Sequence, residues 1–375
     1  MRQIELIRER LKNYPGRDAL HEKLRAFRRS FFQSLPSLDA ATAGTVVFEQ
    51  PAFSRWKDLA AARYPSIASR IGADRKTRMK KVMRFEGRLL LDPNARQLCE
   101  SNRMIWGSSD GVGREREPRF SSYFREPNLR LQEFASLIGA FDNNYFHFLY
   151  DTMGKLDLIE RFGPNATPLV ISETLTRQRF FQDAQRMGVF GDHTLIVQTR
   201  SERIGGEQAW IPSPGEPDAD DLLRLAKRFG ADKSPSTPGV RLYLARGPKA
   251  KNARRLRNED ELFGALATRD FIFFDAQEHD LATQIATFAR AEFIVAPHGA
   301  GLTNIIWRQG RPLTVVELVN PSMHTLDMAY LSVALGYDHH MVDNSGDVGQ
   351  PLKSSANADI GAVIAIIDKA LRAGA

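Results

Sequence analysis

Cysteine is almost missing from this chain. Cys99 is the only one in 375 residues, which excludes an intramolecular disulfide framework and makes a cysteine-built zinc site a poor expectation. It favours a reducing compartment. Long apolar runs are missing too, since nowhere do eighteen apolar residues follow one another as a membrane-spanning helix requires. The opening decapeptide, Met1 to Arg10, alternates charged and apolar residues and has no apolar core of a secretory leader. The expectation is a soluble cytosolic protein, at most peripheral to the inner membrane surface.

What is present is basic charge and enough chain for two ordinary domains. Lys and Arg number 52 against 45 Asp and Glu, a net charge of +7. An excess of this sign suits an acidic partner: a nucleoside diphosphate, an acidic glycan, an anionic lipid surface or a nucleic acid. Arg25, Arg28 and Arg29 beside Phe31 and Phe32 form a basic, aromatic patch within an expected pair of amphipathic helices over residues 1–35. Such a patch fits anionic headgroups, or a plain helical hairpin on the surface.

The most informative stretch runs from Ala291 to Asn304. Phe293 to Ala296 is a short apolar run that reads as a buried strand, and Pro297 ends it because proline donates no backbone N–H. His298, Gly299, Ala300 and Gly301 follow, then an apolar run from Leu302 to Trp307 that can start a helix. Strand, glycine turn and helix start together present free N–H groups to an anion. A diphosphate could approach Gly299 and Gly301 closely, and His298 could reach a phosphate or a sugar hydroxyl. The dinucleotide fingerprint is absent, since the third glycine is missing and a histidine leads.

A second stretch, Asn143 to Thr152, opens a helix expected to reach Phe162. Asn144, His147 and Asp151 fall at i, i+3 and i+7, a polar stripe on an otherwise apolar helix. One turn apart, His147 and Asp151 could hydrogen-bond, which would fix a tautomer and raise the basicity of the ring.

Elsewhere strands and helices alternate, the signature of an α/β protein. Strands are expected at 168–171, 194–197, 240–245, 271–274, 314–318 and 339–342, and helices at 175–187, 221–229, 259–267, 281–291, 326–335 and 360–371. Two breaker-rich loops, 212–217 and 230–239, mark a boundary between domains. Arg246 stands at the end of a strand, where open α/β sheets bind ligands, and its planar fork suits phosphate oxygens. Lys249, Lys251, Arg254, Arg255 and Arg257 add charge before Asn258. Glu317, near the end of another strand, could accept the hydroxyls of a ribose or simply form an ion pair.

Taken together, Asn144-Tyr145-Phe-His147-Phe-Leu-Tyr-Asp151, the run from Arg246 through Arg255 to Asn258-Glu259, the block from Ile294 to Asn304 and Val316-Glu317-Leu318 resemble glycosyltransferase family 61. The resemblance covers about residues 85–345, and the chain resembles the family's bacterial members, often labelled capsular polysaccharide biosynthesis proteins. It implies a GT-B-like fold, two Rossmann-like domains facing across a cleft. Residues 81–230 would form the acceptor domain and 239–345 the sugar-nucleotide domain. Residues 1–80 would be an N-terminal helical extension, and 346–375 a loop and a helix packing across the domains. It also implies an inverting transferase that uses a nucleoside-diphosphate sugar, UDP-linked by expectation, and a glycan or polysaccharide acceptor.

On that reading Asp151 or His147 is the general base, with Asn144 and Tyr145 on the acceptor side. Arg246, Arg255, Asn258, His298, Gly299, Ala300, Gly301, Asn304 and Glu317 bind the donor. No metal is expected: Asp218-Ala-Asp220 has the spacing of a metal motif but lies where a helix cap belongs. The partners are then a nucleotide sugar, a glycan and an anionic membrane surface, not nucleic acid. Two rivals fit the same residues less well, a GT-B-like sugar-nucleotide epimerase and a non-catalytic basic protein that binds polysaccharide or anionic surfaces.

Overall fold

The structure is a computed structural model that describes residues 22–23, 44–48, 58–65, 79–92, 97–100, 126–234, 239–247, 256–320, 325–346 and 355–374. Two main sheets carry it, each built round parallel strands. The first has seven strands in the order β1-β2-β7-β4-β5-β6, with β3 also on β2. These are β1 (Gly44–Phe48), β2 (Lys80–Asp92), β3 (Gln97–Glu100), β4 (Leu129–Ser136), β5 (Leu169–Ser172), β6 (Leu195–Gln198) and β7 (Ile204–Ser213). Strands β7, β4, β5 and β6 run parallel, while β1, β2 and β3 pair antiparallel at one side. The second sheet is wholly parallel, in the order β12-β11-β10-β8-β9. Its strands are β8 (Val240–Leu244), β9 (Phe271–Phe274), β10 (Ala291–Pro297), β11 (Thr314–Val319) and β12 (Asp338–Asp343). The chain is thus mixed α/β with two parallel-rich sheets, compatible with a Rossmann-like glycosyltransferase.

The order of the second sheet has a consequence for binding. Counted along the chain, its strands lie 2-1-3-4-5, so the winding reverses between β8 and β10. Ligands of open α/β sheets bind at the carboxyl ends of the strands at such a reversal. Arg246 follows β8 and His298 follows β10. In the first sheet β4 is flanked by β7 and β5, and the segment leaving the end of β4 carries His147.

Local sequence explains the elements that set this geometry. Helix α7 (Leu281–Ala289) starts at Asp280, whose carboxylate accepts the Thr283 N–H at 2.8 Å. It buries Leu281, Ile285 and Phe288. Helix α5 (Ala219–Arg228) begins with a reciprocal capping box between Asp218 and Asp221. Asp218 and Asp221 also flank the buried Lys80 ammonium, so that acidic pair is used by the fold.

The two layers share a core. One apolar cluster contains Phe148, Leu156 and Phe229 from the first half together with Leu244, Ile294 and Trp307 from the second. Phe229 packs its ring 5.2 Å from Trp307.

The ends of the chain depart from expectation. Within residues 1–80, residues 44–48 form a strand that joins the first sheet through β2 rather than a helix. Residues 58–63 are helical, and Arg63 and Tyr64 bind the opposite sheet: Arg63 pairs with Asp338 at 2.6 Å and the Tyr64 hydroxyl donates to the His339 carbonyl. The expected basic patch at Arg25 to Phe32 lies outside the described residues. The last helix, α9 (Ile360–Gly374), expected across both domains, packs on β11, β12 and helix α6 (Glu259–Ala267) of the second half. Arg269 and Asp368 tie it there at 2.6 Å. Among the described residues no helix is long and apolar enough to cross a membrane.

Candidate active site

Strand β10 delivers His298 to the end of the second sheet, where its N–H donates to the Leu318 carbonyl at 2.9 Å. The turn that follows opens a helix as the apolar run suggested, of 3-10 type over Ala300–Arg308. Its first hydrogen bond runs from Leu302 N–H to Gly299 oxygen at 3.0 Å. The N–H groups of Gly299, Ala300 and Gly301 precede that bond and meet no acceptor among the described residues. These are the donors an anion could take. Arg246 joins them: one guanidinium nitrogen donates to the His298 carbonyl at 3.1 Å. That nitrogen would lie 2.7 Å from a Cβ at Gly299, so any larger residue there would push the guanidinium away from the turn. Gly301 passes Leu244 less closely, 3.3 Å from where its Cβ would be.

Glu317 does not open to a ribose. It is 1% exposed and its two oxygens face two imidazoles, His298 Nδ1 and His339 Nε2, the latter at 3.0 Å. Burial opposes its charge, but the His298 charge and the hydrogen bonds from both rings more than offset this and hold the carboxyl down to about 2. An ionised carboxylate only accepts, so both facing nitrogens carry protons. His339 is fully buried, and its Nδ1 meets the Ser332 hydroxyl at 2.7 Å. The result is a chain Ser332–His339–Glu317–His298 that fixes the His298 ring. No described group meets Nε2 of His298.

In the first half, Asn144 is the cap of the helix rather than part of its polar stripe. Its Oδ1 accepts the Phe146 N–H at 2.9 Å. The helix then runs as α1 (Tyr145–His147), a π-turn over Phe148–Thr152 and α2 (Met153–Phe162). π-turns recur at functional sites because the widened turn displaces side chains from the regular stripe. His147 and Asp151 do come together, Nδ1 to Oδ2 at 2.6 Å. Asp151 is 9% exposed, and no described group meets Nε2 of His147. Both candidate histidines are thus held at Nδ1 by a carboxylate with Nε2 left over.

Among the hydrogen bonds that join the halves, one links the helix start before His147 to the turn after His298. The Tyr145 hydroxyl donates to Asn304 Oδ1 at 2.8 Å. Asn304 is fully buried: its oxygen also accepts from Trp307 Nε1 at 2.7 Å, and its amide donates to Gln284 and to the Gly301 carbonyl, each at 3.0 Å. With every polar valence used, Asn304 holds the turn to the helix start and has nothing left for a donor. Tyr145 is likewise engaged, and burial pushes its phenol well above the ordinary range. Asn258 binds the Ala358 backbone with both side-chain atoms, at 3.0 and 2.9 Å, and so clips down the segment before α9. Arg255 lies outside the described residues. Gln284, Ser332 and His339 were missed by sequence reasoning, because a lone polar residue in a helix or strand carries no sign of the partner it will meet.

Among the described residues no group of three or more His, Cys, Asp or Glu could hold a metal ion. A crevice lined by Lys80, Tyr150, Met153, Asp157, Asp221 and Ile306 lies beside α2 and α5, and none of His147, Asp151, Arg246, His298 or Glu317 lines it. The turn that ends β10 can bind an anion, and the His147–Asp151 pair of the first half can accept a proton.

No curated protein matches the chain. A family model described as Glycosyltransferase 61 matches residues 145–316, a span that begins at Tyr145, contains His147, Asp151, Arg246 and the whole His298–Asn304 turn, and stops one residue before Glu317. That match supports a place for the chain in glycosyltransferase family 61 and, in general terms, a transferase that moves sugar from a donor to an acceptor.

Proposed function

We propose that the chain is an inverting glycosyltransferase of GT-B-like build, taking a UDP-linked or other nucleoside-diphosphate sugar and a glycan hydroxyl. Residues 239–345 would bind the donor and residues 81–230 the acceptor. The observation that carries this reading is the Tyr145–Asn304 bond, which ties the helix start that carries His147 to the turn that follows His298. The diphosphate would rest on the N–H groups of Gly299, Ala300 and Gly301, with Arg246 and His298 supplying positive charge as the leaving group departs. Charge from these groups would take the place of a divalent ion, so EDTA should leave the rate unchanged. His147 is the group to take the acceptor proton, through Nε2. Asp151, buried and bonded to Nδ1, would hold its tautomer and stabilise the imidazolium that forms.

A positioned base is worth about 10²–10⁴-fold in rate. The test is nucleoside-diphosphate release from a panel of sugar nucleotides, with and without glycan acceptors. Asp151→Asn and His147→Ala should lose transfer by about that factor and keep donor affinity. Near-normal transfer by both variants would remove the base assignment.

A further inference from the structure

We propose that Phe141 is the platform of an acceptor subsite for a pyranose ring, one residue removed from the sugar that reacts, so that the acceptor is an oligosaccharide. This rests on the transferase reading above. Phe141 is 43% exposed, and it stands on the turn between β4 and α1. Its ring stacks on that of His147, with centroids 4.6 Å apart and planes at 27°. The imidazole covers one face of the phenyl ring, and the exposure falls to the rest.

The turn is built to hold the ring there. Asp142 is 3% exposed, and its carboxylate accepts the Gly139 N–H at 2.9 Å and the Ser172 hydroxyl. The Asn144 N–H donates to the Phe141 carbonyl at 2.9 Å. A buried carboxylate and a backbone bond thus anchor the turn from below while its aromatic side chain points to water. Asp142 and Asn144 serve the position of the ring, whose aromatic contact among the described residues is with His147.

The face of a phenyl ring is electron-rich and attracts the electropositive C–H groups that line one side of a pyranose. A pyranose on the open face of Phe141 lies beyond the Phe141–His147 stack, one ring away from Nε2 of His147. The hydroxyl that reaches Nε2 must then belong to the next sugar of the same chain. A serine or threonine in a peptide offers no such face to the platform.

Phe141→Ala and Phe141→Trp test this by nucleoside-diphosphate release. The acceptors are methyl pyranosides of glucose, galactose, mannose, xylose and N-acetylglucosamine, the matching di- and trisaccharides, and a peptide containing Ser and Thr. The expected result is that the wild type has a lower KM for a di- or trisaccharide than for its monosaccharide. Phe141→Ala should raise the oligosaccharide KM about five- to tenfold and erase the preference, while UDP affinity stays in place. Phe141→Trp should keep the preference. An unchanged oligosaccharide KM in Phe141→Ala, or release stimulated by the peptide alone, overturns the subsite and leaves the transferase reading standing. No release from any donor by the wild type overturns both.

Discussion

At the residue scale the decisive group is Glu317. A strand-end carboxylate could have held a ribose, yet burial between two imidazoles turns it into the support of His298. Replacing it with glutamine offers one oxygen to two N–H donors, so one ring loses its partner. Loss of such an outer partner typically costs about 10–100-fold, and Glu317→Gln should lower transfer by that factor. Its carboxyl is depressed from 4.5 to about 2 in the folded chain. The folded state therefore binds this proton less readily than the unfolded one. The stabilisation is fully present above pH 4.5 and is lost as the pH falls from 4.5 through about 2. Urea unfolding at stepped pH should show the stability gap between wild type and Glu317→Gln closing across that window. A gap that stays constant would mean that the carboxylate is not ionised in the fold.

Elements were more legible than contacts. Helix α7 and strand β10 follow from the Asp280 cap and the apolar run Phe293 to Ala296. The His147–Asp151 pair follows from a four-residue spacing that survives the π-turn. Asn304 shows where such reading stops. The family resemblance implied that it binds the donor, but its partners include Tyr145, 159 residues away, and local pattern carries no trace of that. Leucine at 304 would leave the Tyr145 hydroxyl, the Trp307 N–H and the Gln284 side chain without their partner. Unsatisfied buried groups cost about 1–3 kcal/mol each, so Asn304→Leu should cost about 3 kcal/mol or more, read as a lower melting temperature. An unchanged melting temperature would show that the joint between the halves does not depend on this amide. In the same turn, Gly299→Ala sets a methyl 2.7 Å from the Arg246 guanidinium and should weaken nucleoside-diphosphate binding while leaving the melting temperature near that of the wild type.

At the scale of the whole molecule, alternation of strand and helix predicts the α/β class, and the breaker-rich 212–239 segment begins in the last two residues of β7, where Pro212 and Ser213 still pair with β2, and ends just before β8 opens the other sheet. Strand order is set by long-range pairing and is not written in any local pattern. That order is what puts Arg246 beside His298 at the reversal of the second sheet. Nor did the basic character of residues 1–80 reveal that part of them reaches both sheets, β1 on one and Arg63 and Tyr64 on the other. The +7 charge leads to a further expectation, binding to anionic vesicles that weakens as salt rises; binding that ignores salt would contradict an electrostatic origin. The central claim is that the Arg246–His298 turn seats a nucleoside diphosphate without metal. The most direct measurement is titration calorimetry of UDP and the other nucleoside diphosphates in EDTA, on the wild type and Arg246→Ala. One-to-one binding of at least one of them, weakened about tenfold or more in the variant, is the predicted result. Equal affinity in both proteins, or no binding by the wild type at all, would contradict it.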